Sequence, residues 1–386
     1  MLNPFAMPAT VNRLSALMGT CIPMPERSIL IERLDTTESI IQAADQLAAT
    51  AAPTGFQTPA WLAAVYRHLV PAGKGMPLCL TVRSQTTGGL DALLPFYVRN
   101  EGGLRIARFA DCGVTDYNAA LGGDWAHSDP DALIAALKPA LAGVDVLELR
   151  RLPLDSTLGR HSRATPSRYT SNRVTMPDGV NAYVRARGKK FRKEVERSFR
   201  VLASEGVWAF ERAATPAKIE TAFAALERQQ GERHADKGCG YALGAPQFGA
   251  FYREVLADPS GFAAIFTLSV NGTIIAVLMG IEHRDTFTLL RISNGGEAWK
   301  HVSPGRLIVV ETLHYYVGRG IRAFDMGIGN YAFKRSFGAQ QSPLIDLVVP
   351  VSWRGWPYAA KFQLMARLRQ YEPLRGLIQR WRIGRV

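Results

Sequence analysis

A membrane-length, strongly apolar run without a charged residue, 261–281, sets the strongest limit on how this chain can fold. About 20 apolar residues in a row could cross a bilayer as a helix. Asn271 and Gly272 stand in the middle of the run, however, and an Asn-Gly pair is the strongest short signal for a tight hairpin turn. The flanking residues are rich in Ile, Val, Phe and Thr, which favour strands. The run therefore predicts two antiparallel strands of a buried sheet and not a transmembrane helix.

The composition is that of a globular protein with room for two domains. The chain has 386 residues, of which 47% are hydrophobic and 20% charged. These values exclude a disordered, collagen-like or disulfide-scaffold chain. The cysteines lie far apart, with no C-x-x-C pair and no histidine at ligand spacing, at Cys21, Cys79, Cys112 and Cys239. We expect free thiols in a reducing cytosol and no metal site.

Helix and strand patterns alternate in both halves of the chain, which predicts the α+β class. In the first half they predict helices at 58–69 and 130–142 and strands at 78–82, 90–99, 104–110 and 144–149. A polar stretch, 154–175, marks the crossing between the halves. In the second half, besides the hairpin, they predict helices at 182–205, 215–230, 245–257 and 304–319 and strands at 207–211, 286–293 and 323–326. No sequence repeat is visible, so any duplication is one of architecture.

Positive charge is concentrated in two segments. The net charge is +13, and the excess of Lys and Arg in 185–200 and in 351–386 accounts for all of it. The first segment is a basic helix that includes Lys189, Lys190 and Arg192. It is either a solvated helix face or a groove for a phosphate-bearing acceptor or an RNA donor, since clustered Lys and Arg contact phosphates.

Both ends of the chain are expected to lie outside the domains. Residues 346–386 are predicted to form a basic amphipathic tail, in which 374–385 has one apolar face surrounded by arginines. That pattern is typical of a helix at a membrane surface, and packing of the face on the second domain is the alternative. Residues 1–27 are expected to be a loose leader, because no apolar core of signal-peptide length precedes Pro23.

The best local signal for chemistry is a helix start at Ser303. A Ser-Pro-Gly-Arg run follows an apolar strand and precedes apolar residues at helical spacing. Ser303 suits the N-cap, and Gly305 leaves the backbone N–H groups open to an anion. Lys300, His301 and Arg306 add nearby donors, so this helix start could bind a phosphate. A well-capped helix without a ligand is the alternative.

The segment 303–338, SPGRLIVVETLHYYVGRGIRAFDMGIGNYAFKRSFG, follows the hairpin sequence VNGTIIA. Together they resemble the C-terminal domain of GNAT-type acyltransferases of the FemAB-like and CelD-like branch. The resemblance extends over about 61–338 and includes Asp116, Tyr117 and the basic helix. It implies two tandem GNAT-like domains, each a mixed β-sheet flanked by helices, at 28–172 and 173–345.

The resemblance also implies acyl-CoA as the donor. Ser303, Gly305 and Arg306 occupy the place that holds the CoA pyrophosphate in the family, and Asn330 is expected to contribute to cofactor binding. Lys334 stands where the family places a lysine, which could neutralise an oxyanion or a phosphate. The chain has only Gly305 of the glycines usual in that loop, and the related Fem transferases use aminoacyl-tRNA, so a tRNA-borne donor is the alternative.

The remaining candidate residues fit direct attack by an amine, or less readily a hydroxyl. No G-x-S-x-G motif and no cysteine beside a histidine indicates a covalent intermediate. Asp325 ends a strand and could accept the amine proton or cap the next loop. Arg291 ends an apolar strand and requires an anionic ligand or an ion pair. Acceptor contacts are expected from the basic helix, from His234 on a loop, and from Asp116 and Tyr117.

We therefore expect a cytoplasmic acyltransferase that acts on a sugar or polysaccharide precursor of the cell envelope. Its basic tail could contact the inner face of the membrane. Two alternatives remain: a Fem-like aminoacyltransferase, for which tRNA is a partner, and a non-catalytic, membrane-docked accessory protein of polysaccharide biosynthesis. DNA is not an expected partner.

Overall fold

The structure is a computed structural model that describes residues 20–24, 27–48, 52–85, 87–123, 129–176, 180–236, 238 and 240–370. Its strands are β1 Thr20–Met24, β2 Arg27–Leu34, β3 Met76–Ser84, β4 Leu90–Glu101, β5 Leu104–Phe109, β6 Leu121–Gly122, β7 Val146–Pro153, β8 Thr165–Thr175, β9 Trp208–Arg212, β10 Ala263–Val270, β11 Thr273–His283, β12 Thr286–Asn294, β13 Ala323–Asp325 and β14 Gln340–Pro350. Its α-helices are α1 Thr37–Gln46, α2 Pro59–Ala64, α3 Val70–Ala72, α4 Pro130–Leu137, α5 Val180–Ala186, α6 Lys189–Glu205, α7 Pro216–Ala235, α8 Pro246–Ala257, α9 Pro304–Tyr316, α10 Ala332–Ser336 and α11 Trp356–Gln370.

The same order of elements occurs in each half of the chain. In the first half β2, β3, β4 and β5 form an antiparallel meander, and α4 then leads to β7, which lies parallel to β5. In the second half β9, β10, β11 and β12 form the meander, and α9 leads to β13, which lies parallel to β12. The expected fold class, two α+β domains of mixed sheet flanked by helices, is confirmed.

Two strands cross between the halves and join them into one sheet. β8, which follows the first half, pairs with β13, and β14, which follows the second half, pairs with β7. β8 and β14 also pair with each other, so the described strands run continuously in the order β1-β2-β3-β4-β5-β7-β14-β8-β13-β12-β11-β10-β9. The domain limits expected at 172 and 345 fall inside these two crossing strands.

The hairpin predicted from the charge-free run is confirmed. β10 and β11 are antiparallel partners from Ala263 to Ile281 and turn at Asn271 and Gly272, whose φ angles are 48° and 78°. Such left-handed angles are those that an Asn-Gly turn adopts readily. Among the described residues no helix is long and apolar enough to span a bilayer.

The polar stretch that marks the crossing between the halves contains β8, which its polar residues can form because strands on both sides satisfy its backbone. Two predictions about secondary structure were wrong. The basic helix is two helices, α5 and α6, with Gly188 at the N-cap of α6. Residues 346–370 are not a tail, because they form the end of β14 and α11, whose Phe362 packs against Ile106 and Val146. The expected interfacial helix, 374–385, lies outside the described residues, as does most of the leader, in which 20–24 form β1.

The hydrophobic core also joins the halves. Trp61 on α2 and Phe251 on α8 are fully buried, and their rings meet edge to face with centroids 4.9 Å apart. Both belong to one cluster that includes residues of β4 and of β11. Burial of such large aromatic side chains stabilises their relative position strongly. The two halves are therefore held in a fixed relative position.

Candidate functional site

The strands β12 and β13 separate at the centre of the second half. They pair only from Thr286 to Thr288, after which β13 ends at Asp325 while β12 continues to Asn294. The pairing of β11 with β12 shifts by one residue at Leu290, a β-bulge that the sequence did not predict. Bulges redirect side chains and often occur beside active sites. The separation opens one side of β12 next to the carboxyl end of β13.

Asp325 lies buried at this opening and contacts the first half of the chain. Its Oδ1 accepts a hydrogen bond from the Tyr117 hydroxyl at 2.7 Å and another from the Gly327 N–H at 2.7 Å. Burial raises the pKa of Asp325 to about 6, and the nearby charge of Asp116 acts in the same direction. Burial, together with the charge of Asp325, also raises the pKa of Tyr117. The two predicted residues Tyr117 and Asp325 are thus in direct contact.

Asp116 and Lys334 complete this cluster around the turn that follows β13. Asp116 Oδ2 accepts from the Ile328 N–H at 3.1 Å, and Lys334 Nζ donates to the carbonyl oxygens of Gly327 and Ile328 at 3.2 and 2.6 Å. Lys334 is 7% exposed, so it is not a solvated surface lysine. Burial lowers the pKa of Lys334, while the charges of Asp116 and Asp325 oppose this shift. We call Asp116, Tyr117, Asp325 and Lys334 the junction cluster.

Gly327 is required for the junction cluster to form. Its φ is 72°, and a Cβ atom added to it would lie 2.5 Å from Asp116 Oδ2. A side chain at this position would therefore be strained and would displace the Asp116 carboxylate. Asn172 on β8 also holds the turn, because its Nδ2 donates to the carbonyl oxygens of Gly327 and Gly329, both at 2.8 Å. Sequence reasoning missed Asn172, since an isolated asparagine in a polar stretch gives no signal of its own.

Arg291 lies on β12 just after the bulge, in a second buried group of side chains. It is 3% exposed, its Nε donates to Gln230 Oε1 at 3.0 Å, and it contacts the Tyr241 hydroxyl. Burial lowers the pKa of Arg291 to about 10. His234 stacks near Tyr241 with ring centroids 5.1 Å apart, but it lies in the last turn of α7 and not on the loop that was predicted. Gln230 was not found from the sequence, which offered no signal for it.

The start of α9 has the expected position and a different cap. Ser303 is the N-cap, but its φ is 57° and its side chain makes no capping bond; its carbonyl oxygen accepts from the Arg306 and Leu307 N–H groups. Gly305 leaves the backbone open, because a Cβ added there would meet only Asn294 Nδ2, at 3.7 Å. This opening fits a phosphate approaching the helix start.

The cations expected to help at this helix start are paired with glutamates. Arg306 contacts Glu194 of α6 at 3.1 Å, Lys300 contacts Glu297 at 3.2 Å, and His301 contacts Glu205 at 2.8 Å. Asn330 is not brought to α9; it lies in the turn before α10 and accepts from Gln341 at 3.4 Å.

The basic helix α6 lies beside the start of α9 and forms one surface with it. An open concavity of about 550 Å³ is lined by Lys189, Lys190, Lys193, Glu194 and Arg197. Glu194 also bonds Arg306, which connects the concavity with the helix start. Lys189 and Lys190 are exposed and Arg192 is partly exposed. No group of three or more potential metal ligands occurs in the described part of the chain.

Comparison with known proteins identifies the class of the second half. Residues 189–335 match the family model described as "Acetyltransferase (GNAT) domain". The match begins at α6 and ends in α10, so it contains Arg291, Ser303, Asp325 and Lys334. The second half therefore matches a GNAT-type acetyltransferase domain, and this match indicates an N-acyltransferase enzyme. No curated protein matches the chain in sequence.

Solved structures resemble the whole fold at low sequence identity. FemX is 11% identical with a TM-score of 0.57, over 86% of this chain and 100% of FemX. The C-terminal domain of a putative lysylphosphatidylglycerol synthetase from Agrobacterium fabrum is 15% identical with a TM-score of 0.53, over 86% of this chain and 97% of that domain. L-PGS from Bacillus licheniformis is 13% identical with a TM-score of 0.50, over 85% and 95%. At these identities the likeness concerns the fold alone.

Proposed function

We propose that the protein transfers an acyl group from acyl-CoA to an amine, or less readily a hydroxyl, of a sugar or polysaccharide precursor of the cell envelope. The observation that carries this proposal is the contact between Tyr117 and Asp325, which places a buried carboxyl at the open edge of β12. The acceptor would then bind in the cleft between the halves, with the donor along β12.

Asp325 acts as the general base. At neutral pH a carboxyl with a pKa of about 6 is mostly ionised, yet it is a better proton acceptor than an ordinary aspartate. As the acceptor nitrogen bonds to the acyl carbon, Asp325 takes the proton that the nitrogen loses. The carbon–sulfur bond breaks and the thiolate leaves. Tyr117 holds Asp325 in place from the opposite half.

Lys334 stabilises the negative charge that develops on the acyl oxygen. An ammonium group has three N–H donors, and the bonds to the Gly327 and Ile328 carbonyl oxygens use two. A donor held in a buried site is worth far more to a developing oxyanion than one in water. Lys334 therefore contributes mainly to turnover.

The donor is held at the start of α9. Ser303 and Gly305 offer open backbone at the positive end of the helix, and Arg306 can turn from Glu194 to a phosphate. The separation of β12 from β13 leaves room beside β12 for the extended arm of CoA. These residues suit the donor, which supplies the activated acyl thioester.

A tRNA-borne aminoacyl donor is the second candidate, and the basic concavity on α6 favours it. Of the side chains that line it, four are Lys or Arg. Clustered cations of this kind bind nucleic-acid backbones with little sequence preference. The fold likeness to FemX and to a putative lysylphosphatidylglycerol synthetase is compatible with such a donor.

The two donors can be separated with purified full-length protein. We expect CoA and at least one of a panel of acyl-CoAs to raise the thermal unfolding temperature of the protein. When a mixture of amino sugars is added as acceptor, transfer from that acyl-CoA should release free CoA. The Lys334→Ala variant should keep the CoA-dependent shift and lose about 10²-fold or more of the release rate. If only charged tRNA supports transfer, the donor assignment is wrong and the second candidate holds.

A further inference from the structure

Arg291 is a buried cation without a buried anion. Among the described residues no carboxylate lies within ion-pair distance of it, and its Nη1 is buried without a hydrogen-bond partner. Its neighbours are the neutral groups Gln230 and Tyr241 and the aromatic rings of Phe223 and Tyr252, the latter 4.8 Å from the guanidinium carbon. The charge of Glu227 acts on Arg291 only from beyond ion-pair distance. A buried charge without a directly bonded anion costs stability, and binding of an anion would reduce that cost.

The free part of the guanidinium has a defined geometry. Gln230 Oε1 accepts from both Nε and Nη2, which occupies one edge of the fork. On the other edge, formed by Nη1 and Nη2, the hydrogen-bond contact is that of Nη2 with the Tyr241 hydroxyl. Tyr241 belongs to the segment between α7 and α8. Two parallel N–H groups on one edge match the two oxygens of a carboxylate. An anion that displaces Tyr241 from this edge would satisfy Nη1.

The position of Arg291 connects it with the proposed acceptor cleft. It follows the Leu290 bulge on β12, two residues after Leu289, whose carbonyl oxygen would lie 3.4 Å from a Cβ atom added to Gly327 in the turn of the junction cluster. A ligand on Arg291 would therefore lie near the junction cluster.

We propose that Arg291 binds a carboxylate of the acceptor, so that the protein selects acceptors bearing both an amine or hydroxyl and a carboxylate. The proposal names the substrate class of the proposed function and rests on it. Arg291 is then a binding residue that determines specificity and not the base. Gln230 positions its guanidinium, and the rings of Phe223 and Tyr252 exclude water from the ion pair.

Thermal unfolding of full-length protein in acetate and malonate tests the proposal without any turnover. Ionic strength is held constant with chloride, and phosphate is a separate arm. Because such salts stabilise many proteins in general, the measured quantity is the shift of the wild type minus that of Arg291→Met. We expect carboxylates to stabilise the wild type beyond this variant, with an apparent affinity about ten- to a hundredfold weaker in the variant. The Arg291→Lys variant should lose most of the effect, since an ammonium cannot offer two parallel donors.

The matched control is Arg212→Met, which removes an arginine of the same half that is paired with Glu282 at 3.0 Å. It should keep the full carboxylate effect. Equal shifts in wild type and Arg291→Met, or a larger Arg291-dependent shift in phosphate than in carboxylates, would overturn the proposal. Where turnover is found, alanine should be acylated in preference to ethylamine by the wild type and not by Arg291→Met. Absence of turnover with an intact carboxylate shift would contradict the proposed function but not this site.

Discussion

The basicity of Asp325 comes from its surroundings. Two hydrogen bonds, from Tyr117 and from Gly327, favour its charged form, but burial and the neighbouring Asp116 outweigh them. The result is a carboxyl that changes its charge near pH 6, close to the pH at which the reaction would run. The role of Asp325 can be tested through this property.

Replacement of Asp325 by Asn should lower kcat by about 10² to 10⁴-fold with little change in KM, since a general base acts in the chemical step. In the wild type kcat should rise with pH through about pH 6, and this rise should disappear in the variant. Tyr117→Phe is the matched control: it should keep the rise but move it, because one hydrogen bond to the carboxylate is lost. Unchanged turnover in Asp325→Asn would remove Asp325 from the mechanism.

The same group affects stability with a definite sign. Its pKa is higher in the folded protein than its ordinary value of 3.8, so the folded state holds the proton more tightly. Its contribution is fully present below about pH 4 and is lost as the pH rises through about 6. As the pH rises over this range, the thermal unfolding temperature of Asp325→Asn should therefore decrease less than that of the wild type.

Part of the junction cluster could be predicted at the level of residues. Asp325 and Lys334 were found because one ends a strand and the other lies in a recognisable segment. That Asp116 and Tyr117 would meet them, more than 200 positions away, depends on the packing of the two halves and not on any local pattern. Asn172 and Gln230 could not be found, because an isolated amide carries no signal until its partners are known.

At the scale of elements, α9 and α6 together form the proposed donor end of the site. The ion pair between Arg306 and Glu194 connects them, and it neutralises the cation best placed to meet a phosphate. Donor binding must break this pair or use the backbone of Gly305 without it. Two substitutions separate these contributions.

Gly305→Val should weaken CoA binding by about tenfold or more without unfolding the protein. The added side chain has room at its Cβ, with its nearest neighbour at 3.7 Å, but it projects where a phosphate must approach the N–H groups. Glu194→Gln should instead strengthen CoA binding severalfold, because Arg306 is released from its partner. Calorimetry with CoA measures the affinity of both variants. Gly318→Val, after the end of α9, would be an unsuitable control because the φ angle of Gly318 is 76°. Gly231→Ala, in open space on α7, is a suitable one. Unchanged affinity in Gly305→Val would contradict the donor site.

Elements with a strong local signal were predicted well, and those defined by their partners were not. The hairpin of β10 and β11 follows from Asn271-Gly272 and apolar flanks alone. β8 is polar, and only its pairing with β13 and β14 makes it a strand. Likewise the end of β14 and α11 lie in a basic segment whose apolar residues find their core only in the first half.

At the scale of the whole molecule, the two halves depend on each other. β8, which follows the first half, pairs with β13 of the second, and β14, which follows the second half, pairs with β7 of the first. The hydrophobic cluster around Trp61 and Phe251 contains residues of both halves. The junction cluster lies across the same boundary. We therefore expect the two halves to fold together, and the candidate site is built from both.

We accordingly expect residues 173–345, expressed alone, not to fold. This piece would lack β7 and residues 165–172 of β8, so that β14 would lose most of its strand partners, and it would expose Phe251, which now packs on Trp61 with a ring distance of 4.9 Å. Exposure of large apolar side chains and an open strand edge favours aggregation over folding. Residues 20–370, which keep every element of the sheet, are the control and should unfold in one transition, with fluorescence and circular dichroism coincident. A cooperative unfolding transition of 173–345 alone would mean that the second half is an independent domain and that the contacts with the first half are dispensable for its fold.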